Sequence, residues 1–125
     1  MKRIVTAIVI FLLLIVLSIF ETVYITKISN QVISKLDTAV EKYNNGEIET
    51  AEKSIKTADK IWEKNTRCLN AFLIHDNTDE VAERIAIAEV TLKYQKERFP
   101  IECAGAKDSI KIIIYSMLPQ FDNIL

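Results

Sequence analysis

Apolar residues follow two different patterns along this chain of 125 residues. From Ile4 to Phe20 the sequence carries no charge, and after Phe20 the apolar positions become periodic. A run of this length, extended by Thr22 to Ile25, is long enough to cross a hydrocarbon layer of roughly 30 Å. It is too long for the apolar region of a secretory signal, and no small residue marks a cleavage point. Residues 1–20 are therefore predicted to form an uncleaved membrane anchor.

Four periodic stripes follow the anchor, and each predicts a helix because steps of three and four residues place side chains on one face. The predicted helices cover residues 21–44, 47–75, 78–98 and 100–118. Their stripes are Ile25, Ile28, Val32, Leu36, Ala39 and Tyr43; Ile48, Ala51, Ile55, Ala58, Trp62, Asn65, Leu69 and Phe72; Val81, Ile85, Ala88 and Leu92; and Cys103, Ala106, Ile110, Ile113 and Met117.

Turn-forming and capping residues set the predicted ends of these helices. No Pro or Gly interrupts the chain before Asn44, so the anchor and the first helix are predicted to form one rod that ends with a left-handed cap at Gly46. His75 is predicted to close the second helix. Asn77 or Thr78 then caps the third.

The last helix lies between two prolines. Pro100 is acceptable in its first turn, and Pro119 is predicted to end it. Because all the connections are short, neighbouring helices should be antiparallel. The fold prediction is all-α: an N-terminal transmembrane helix continuing into an up-and-down four-helix bundle over residues 21–125. Ile87, Val90 and Tyr94 widen the stripe of the third helix, so that helix is expected to be covered on more than one side.

The distribution of charge predicts location and excludes one class of partner. Lys2 and Arg3 precede the span and Glu21 follows it, so the N-terminus should be cytoplasmic and the bundle extracytoplasmic, on a single-pass protein of the cytoplasmic membrane. Residues 21–125 contain fourteen basic and seventeen acidic residues. These signs are interspersed and leave no basic stripe, so nucleic acid is not an expected partner.

His75 is the only histidine, and three acids follow it within five positions. It could share a metal ion with Asp79 or Glu83. One His with acids is a weak ligand set, however, because catalytic zinc usually has three protein ligands at recognisable spacing. A structural role near the helix C-terminus is favoured. With no catalytic motif elsewhere, the sequence predicts neither an enzyme nor a bound cofactor.

The two cysteines and two seam residues complete the candidates. In a simple bundle Cys68 and Cys103 differ in height by about 15 Å, too far for a disulfide, so both are predicted to be free thiols. Trp62 is predicted to lie in the core. Asn65 is the one polar member of the second stripe, and it needs a hydrogen-bond partner there.

Several short elements resemble a known family. They are Trp62, Leu69, the segment from Phe72 to His75, Asp79, Ile85-Ala86 and the closing Asn123-Ile124-Leu125. The chain resembles domain-of-unknown-function family DUF4363, small membrane-anchored helical proteins of spore-forming Firmicutes. The resemblance implies an accessory subunit beside a multi-pass membrane protein. It also implies that Trp62, His75 and the tail from Asn123 to Leu125 matter beyond packing.

The sequence thus predicts an accessory or interaction protein that sits in the lipid bilayer and binds another envelope protein, most simply an integral membrane protein. Formation of a homo-oligomer stays open, through the stripe from Ile25 to Tyr43 if the bundle does not bury it. Two alternatives come from other classes. One is a sensory ectodomain that binds a small ligand between helices. The less favoured one is a metal-dependent enzyme centred on His75.

Overall fold

A computed structural model describes the backbone of residues 1–72 and 75–124, and the side chains of residues 1–66 and 78–115. It contains four α-helices, and the described residues form no strand. We number the helices α1 (Lys2–Asn44), α2 (Ile48–Phe72), α3 (His75–Tyr94) and α4 (Phe99–Ile124), with a 3-10 turn at Lys96–Arg98 before α4. The all-α prediction is confirmed, and the anchor and the first bundle helix form one unbroken rod.

The turn between α2 and α3 differs from its prediction. We expected His75 to end α2 and Asn77 or Thr78 to cap α3, but α2 ends at Phe72 and α3 already begins at His75. The added turn places Thr78 inside the helix, where its side chain is fully buried. Because His75 lies at a helix N-terminus, the favourable interaction with C-terminal carbonyls that its sequence position suggested does not apply.

The ends of α3 and α4 also differ from the predicted bounds. α3 stops at Tyr94, and Arg98 N donates to the carbonyl of Gln95 at 2.9 Å in the tight turn that follows. Pro119 was predicted to end the last helix, but α4 continues through it to Ile124. A proline fits helical φ, but it lacks the hydrogen bond of its own nitrogen and its ring crowds the carbonyl four residues earlier, so a helix continues past it at a cost of about 3 kcal/mol.

The four predicted stripes meet in one core. Each helix contacts its two neighbours, in the order α1, α2, α3, α4 and back to α1. The buried apolar residues are Ile25, Ile28, Val32, Leu36 and Ala39 of α1; Ala51, Ile55, Ala58 and Trp62 of α2; Val81, Ile85, Ala88 and Leu92 of α3; and Phe99, Cys103, Ala106, Ile110 and Ile113 of α4. The α1 stripe is therefore used inside the bundle and is not free for pairing with a second copy.

Polar contacts fix the position of α1 against its neighbours. Ser54 Oγ donates to the carbonyl of Lys35 at 2.7 Å, which joins α2 to α1. Lys107 Nζ donates to Asp37 Oδ1 at 2.8 Å, which joins α4 to α1. The Lys107–Asp37 contact is exposed, so we expect it to add specificity of alignment more than stability, whereas Ser54 is buried and its bond satisfies a polar group inside the bundle. The buried apolar stripes supply most of the stability.

The end of α1 is a Schellman motif built on glycine. Gly46 has φ of +82°, its N–H donates to the carbonyl of Tyr43 at 3.0 Å, and Glu47 N donates to the carbonyl of Lys42 at 2.9 Å. This pair of bonds satisfies carbonyls that a helix end otherwise leaves unpaired. The left-handed cap predicted at Gly46 is confirmed.

The two glycines of the chain should respond in opposite directions to alanine. Gly46→Ala forces a side chain into left-handed backbone and is expected to lower the free energy of unfolding by about 1 kcal/mol. Gly105 lies inside α4, and a Cβ there would meet only the flexible end of Arg84 at 3.2 Å. Gly105→Ala is therefore expected to raise the free energy of unfolding by up to about 1 kcal/mol.

Urea titration of the full chain in detergent micelles, followed by circular dichroism, measures both changes. Equal shifts in the same direction would contradict the different roles assigned to the two glycines.

Candidate functional site

Beyond Val23, six large hydrophobic side chains are exposed among those that the structure describes, and all six lie on α3 and α4. They are 40 to 80% exposed: Ile87, Val90, Tyr94, Ile101, Ile112 and Tyr115. We call this set the α3–α4 face. On the described parts of α1 and α2 beyond Val23, no large hydrophobic side chain is similarly exposed. The apolar surface of the bundle is thus confined to one side.

The six residues follow the outer groove where α3 meets α4. Arg84 lies against Gly105, because a Cβ at Gly105 would be 3.2 Å from Arg84 Nη1. Ile87 is one turn beyond Arg84 on α3. Ile101 is one turn before Gly105 on α4, and Ile112 is two turns after it. The small Gly105 and the long Arg84 therefore lie at the centre of the strip, with apolar side chains above and below them.

Charged side chains lie among and beside the apolar residues of the α3–α4 face. Arg84 Nε pairs with Glu80 Oε1 at 3.4 Å, and Arg98 Nη2 pairs with Glu102 Oε1 at 3.1 Å. Asp108, one turn before Ile112, is exposed between the upper and lower apolar residues. Protein interfaces likewise combine apolar side chains with charged and polar ones.

The sequence pattern already singled out the three α3 members of this face, but with a different interpretation. Ile87, Val90 and Tyr94 were expected to be covered from a second side, but in the structure they are 40 to 80% exposed. The three α4 members were not part of that prediction. Ile101, Ile112 and Tyr115 repeat at helical spacing just beside the core stripe, and that second stripe is the signal that would have found them.

Trp62, a residue of the family pattern, is part of the core. It is fully buried, and its Nε1 donates to the carbonyl of Thr78 at 3.0 Å. This bond joins α2 to the first turn of α3 across the corner of the bundle. Burial and a satisfied indole N–H account for tryptophan at this position without any ligand.

Asn65 has the partners that its position in the seam requires. Tyr24 Oη donates to Asn65 Oδ1 at 2.5 Å, and Asn65 Nδ2 donates to the carbonyl of Ile61 at 2.7 Å. The side chain is half-buried between α1 and α2. It holds α2 in register with α1 just beyond the apolar segment, which is a structural role.

The candidate metal ligands are only partly described. Asp79 and Glu83 lie four residues apart on α3 and are both exposed. The side chain of His75 lies outside the described residues. Among the side chains that the structure describes, no three His, Cys, Asp or Glu come close enough together to hold a metal ion. The metal proposal therefore gains no support from Asp79 and Glu83.

Cys103 is a free thiol in the core, 2% exposed. Burial raises its pKa to about 12, and the nearby charges of Asp37 and Glu102 add to the effect. Cys68 lies outside the described side chains. So do Phe72 and the tail residues Asn123, Ile124 and Leu125, whose proposed roles stay predictions.

The fold and the exposed apolar segment of α1 define the class of protein. The protein is a four-helix bundle whose first helix extends beyond the bundle as a segment long and apolar enough to span a membrane, with none of that segment buried. The model of the domain of unknown function DUF4363 matches residues 19–124, most of the chain. The chain belongs to the DUF4363 family, as its short motifs indicated. Neither the curated proteins nor the solved structures give a match.

The structural role of Trp62 can be tested with Trp62→Phe. The phenyl ring keeps much of the packing but loses the N–H bond to Thr78, so we expect the free energy of unfolding to fall by about 1 to 3 kcal/mol. Urea unfolding followed by circular dichroism measures this change. At urea concentrations below its unfolding transition, the Trp62→Phe variant should still bind a partner. Loss of binding by a variant of unchanged stability would show that Trp62 acts beyond packing.

Cys103 should resist thiol reagents in the folded protein. With a pKa near 12, Cys103 carries about a thousand-fold less thiolate at pH 8 than an exposed cysteine thiol with the usual pKa near 9. In a Cys68→Ser background we expect Cys103 to react with Ellman's reagent only after unfolding in urea. Adding Asn45→Cys, at the exposed end of α1, provides a control that reacts at once. Fast native labelling at Cys103 would contradict its burial.

Proposed function

We propose that this protein is a single-pass protein of the cytoplasmic membrane whose extracytoplasmic bundle binds an integral membrane protein. The observation that carries the proposal is the α3–α4 face. Monomeric soluble proteins rarely expose large apolar patches, and the described part of this bundle exposes six large hydrophobic side chains on two adjacent helices.

The rest of the chain supports this proposal by elimination and by geometry. The apolar stripe of α1 is buried in the core of the bundle, as Val32 and Leu36 show. It is therefore not available for binding a partner. The basic Lys2 and Arg3 support the orientation with the bundle outside.

Anchoring makes a patch of moderate size sufficient for binding. Two proteins held in one membrane meet at a higher effective concentration than free proteins, so fewer contacts are needed for the same occupancy. A standard stable interface buries about 800 Å² on each partner. We expect the apolar residues of the α3–α4 face to supply the apolar contacts of such an interface. Its charged residues are expected to set the orientation of the partner.

Photocrosslinking in intact membranes tests the proposal. A benzoylphenylalanine at Val90 is expected to give an adduct with an integral membrane protein, whereas the same group at Gln31, exposed on α1, is not. Ile101→Asp should lower the Val90 adduct by more than about ten-fold, because a carboxylate would be buried without a partner. Gln31→Asp adds the same charge on the other side of the bundle and should leave the adduct unchanged.

Two results would contradict the proposal. Equal adducts from Val90 and Gln31 would show that the α3–α4 face has no special role. An adduct formed only with a second copy of this chain would replace the membrane-protein partner with self-association.

A further inference from the structure

The fold sorts charges that alternate along the sequence. The sequence predicted no basic stripe, and this prediction was wrong for the side where α1 meets α2. Two rows of lysines and neutral polar side chains repeat there at steps of three and four residues. We call these rows the lysine face, which consists of Lys27, Gln31, Lys35 and Thr38 on α1, and Lys53, Thr57, Lys60 and Lys64 on α2.

A groove between the two helices separates the rows. It has a volume of about 660 Å³ and is open to solvent. Ile61 is its member from α2, and Thr57 and Lys64 lie four residues before and three residues after Ile61, on the same side of the helix. The groove is lined by Lys27, Asn30, Gln31, Ser34, Lys35 and Ile61.

The five lysines of this face have no counter-ion among the described residues. Each of them is exposed, and none takes part in the ion pairs that the described side chains form. Between residues 22 and 40, α1 carries one acid, Asp37, and this acid pairs with Lys107 of α4. Five positive charges therefore stand together on a chain whose net charge is −1.

The acids of α2 lie on the opposite side, next to α3. Glu52 Oε1 is 3.9 Å from Lys93 Nζ of α3. Burial raises the pKa of Asp59, and the nearby charges of Glu63 and Glu89 raise it further. One helix thus presents lysines beside α1 and carboxylates beside α3. A groove lined by one sign of charge concentrates ions of the opposite sign.

The register of α2 on α1 gives the height of each lysine. The Tyr24–Asn65 bond and the bond from Ser54 to the Lys35 carbonyl place Lys64 level with Ile25 and Lys53 level with Leu36. These two levels are eleven residues apart on α1. The lysine face therefore extends for about 17 Å along the bundle.

This length decides between a single lipid headgroup and a longer anion. A hydrocarbon layer of roughly 30 Å that begins at Ile4 ends near Val23. Lys64 then lies about 3 Å outside that layer and Lys53 about 20 Å outside it, whereas headgroups add only about 5 to 7 Å on each side. Headgroups can reach the lower lysines but not Lys35 and Lys53. A linear anion that extends outward can contact all five.

The composition of the lysine face fits a hydrophilic polymer better than a protein. No large hydrophobic side chain is exposed on the described parts of α1 beyond Val23 and of α2, and a protein interface normally has an apolar core. The lysines alternate with hydroxyl and amide groups. Lysine binds phosphate as a point charge, and the neutral groups between lysines can donate to the remaining phosphate oxygens.

We propose that the lysine face binds a linear polymer with repeating phosphate groups, which runs outward from the membrane surface along the groove between α1 and α2. This site lies on a different side of the bundle from the α3–α4 face. The position of the polymer outside the membrane rests on the proposed function, whereas the binding itself does not.

Binding of inorganic polyphosphate tests the inference. The full chain in micelles of an uncharged detergent is titrated into fluorescein-labelled long-chain polyphosphate, and anisotropy gives the Kd at low and at physiological salt. We expect binding that weakens steeply as salt rises, because bound lysines displace counter-ions. At physiological salt, Lys35→Gln with Lys53→Gln should raise the Kd at least about ten-fold.

A matched pair of variants separates the groove from net charge. Lys56→Gln with Lys93→Gln removes the same charge on the α2–α3 side, where both lysines pair with Glu52. This pair should change the Kd by less than about two-fold, because charges more than about 8 Å away are screened at physiological salt. Equal losses from the two pairs, or no binding at all, would overturn the inference.

Two further ligands decide the class of the anion. If dihexanoylphosphatidylglycerol binds as tightly as polyphosphate, the lysines serve single lipid headgroups and the polymer is excluded. If polyglutamate of matched length binds as tightly, an acidic protein segment replaces the phosphate polymer. Lys35→Gln with Lys53→Gln should leave the crosslinked adduct at Val90 unchanged, so a failure of polyphosphate binding would leave the proposed function standing.

Discussion

The structure depends on one helix serving two different environments. α1 runs from Lys2 to Asn44 without interruption, exposing every side chain from Lys2 to Phe20 and burying a stripe from Ile25 to Ala39. A continuous helix couples these two parts rigidly, because no proline, glycine or loop between them can absorb a rotation. The position of the bundle is therefore set by the apolar first part of α1.

The sequence predicted the core well, because burial in a helical bundle leaves a periodic signal that needs no tertiary information. The α3 stripe of Val81, Ile85 and Ala88 shows this, since each residue is fully buried. The ends of the helices were predicted less well. Local signals at Asn77 and Pro119 were correct for isolated helices, but α3 begins a turn earlier and α4 continues past its proline. A capping residue or a proline favours a helix end without requiring one, so helix ends are less sharply encoded than a buried stripe.

The candidate site was harder to predict for a physical reason. A residue such as Val90 or Ile112 contributes to the same periodic pattern whether it faces the core or a partner. Only the path of the whole chain separates these cases. It shows that α3 and α4 bury one stripe each and still expose a second, whereas the described side chains of α1 beyond Val23 and of α2 do not. The excess of apolar residues on two helices is the feature that indicates an interface.

Height above the membrane narrows the kind of partner that this face can receive. By the register of Lys107 with Asp37, Tyr115 lies about 14 Å beyond the level of Phe20, and Ile101 about 35 Å beyond it. In the proposed function α1 carries the bundle out of the bilayer, so these distances are measured outward from it. A protein confined to the hydrocarbon layer could not reach the α3–α4 face. The proposed partner therefore needs its own extracytoplasmic part, at least as tall as the lower half of this bundle.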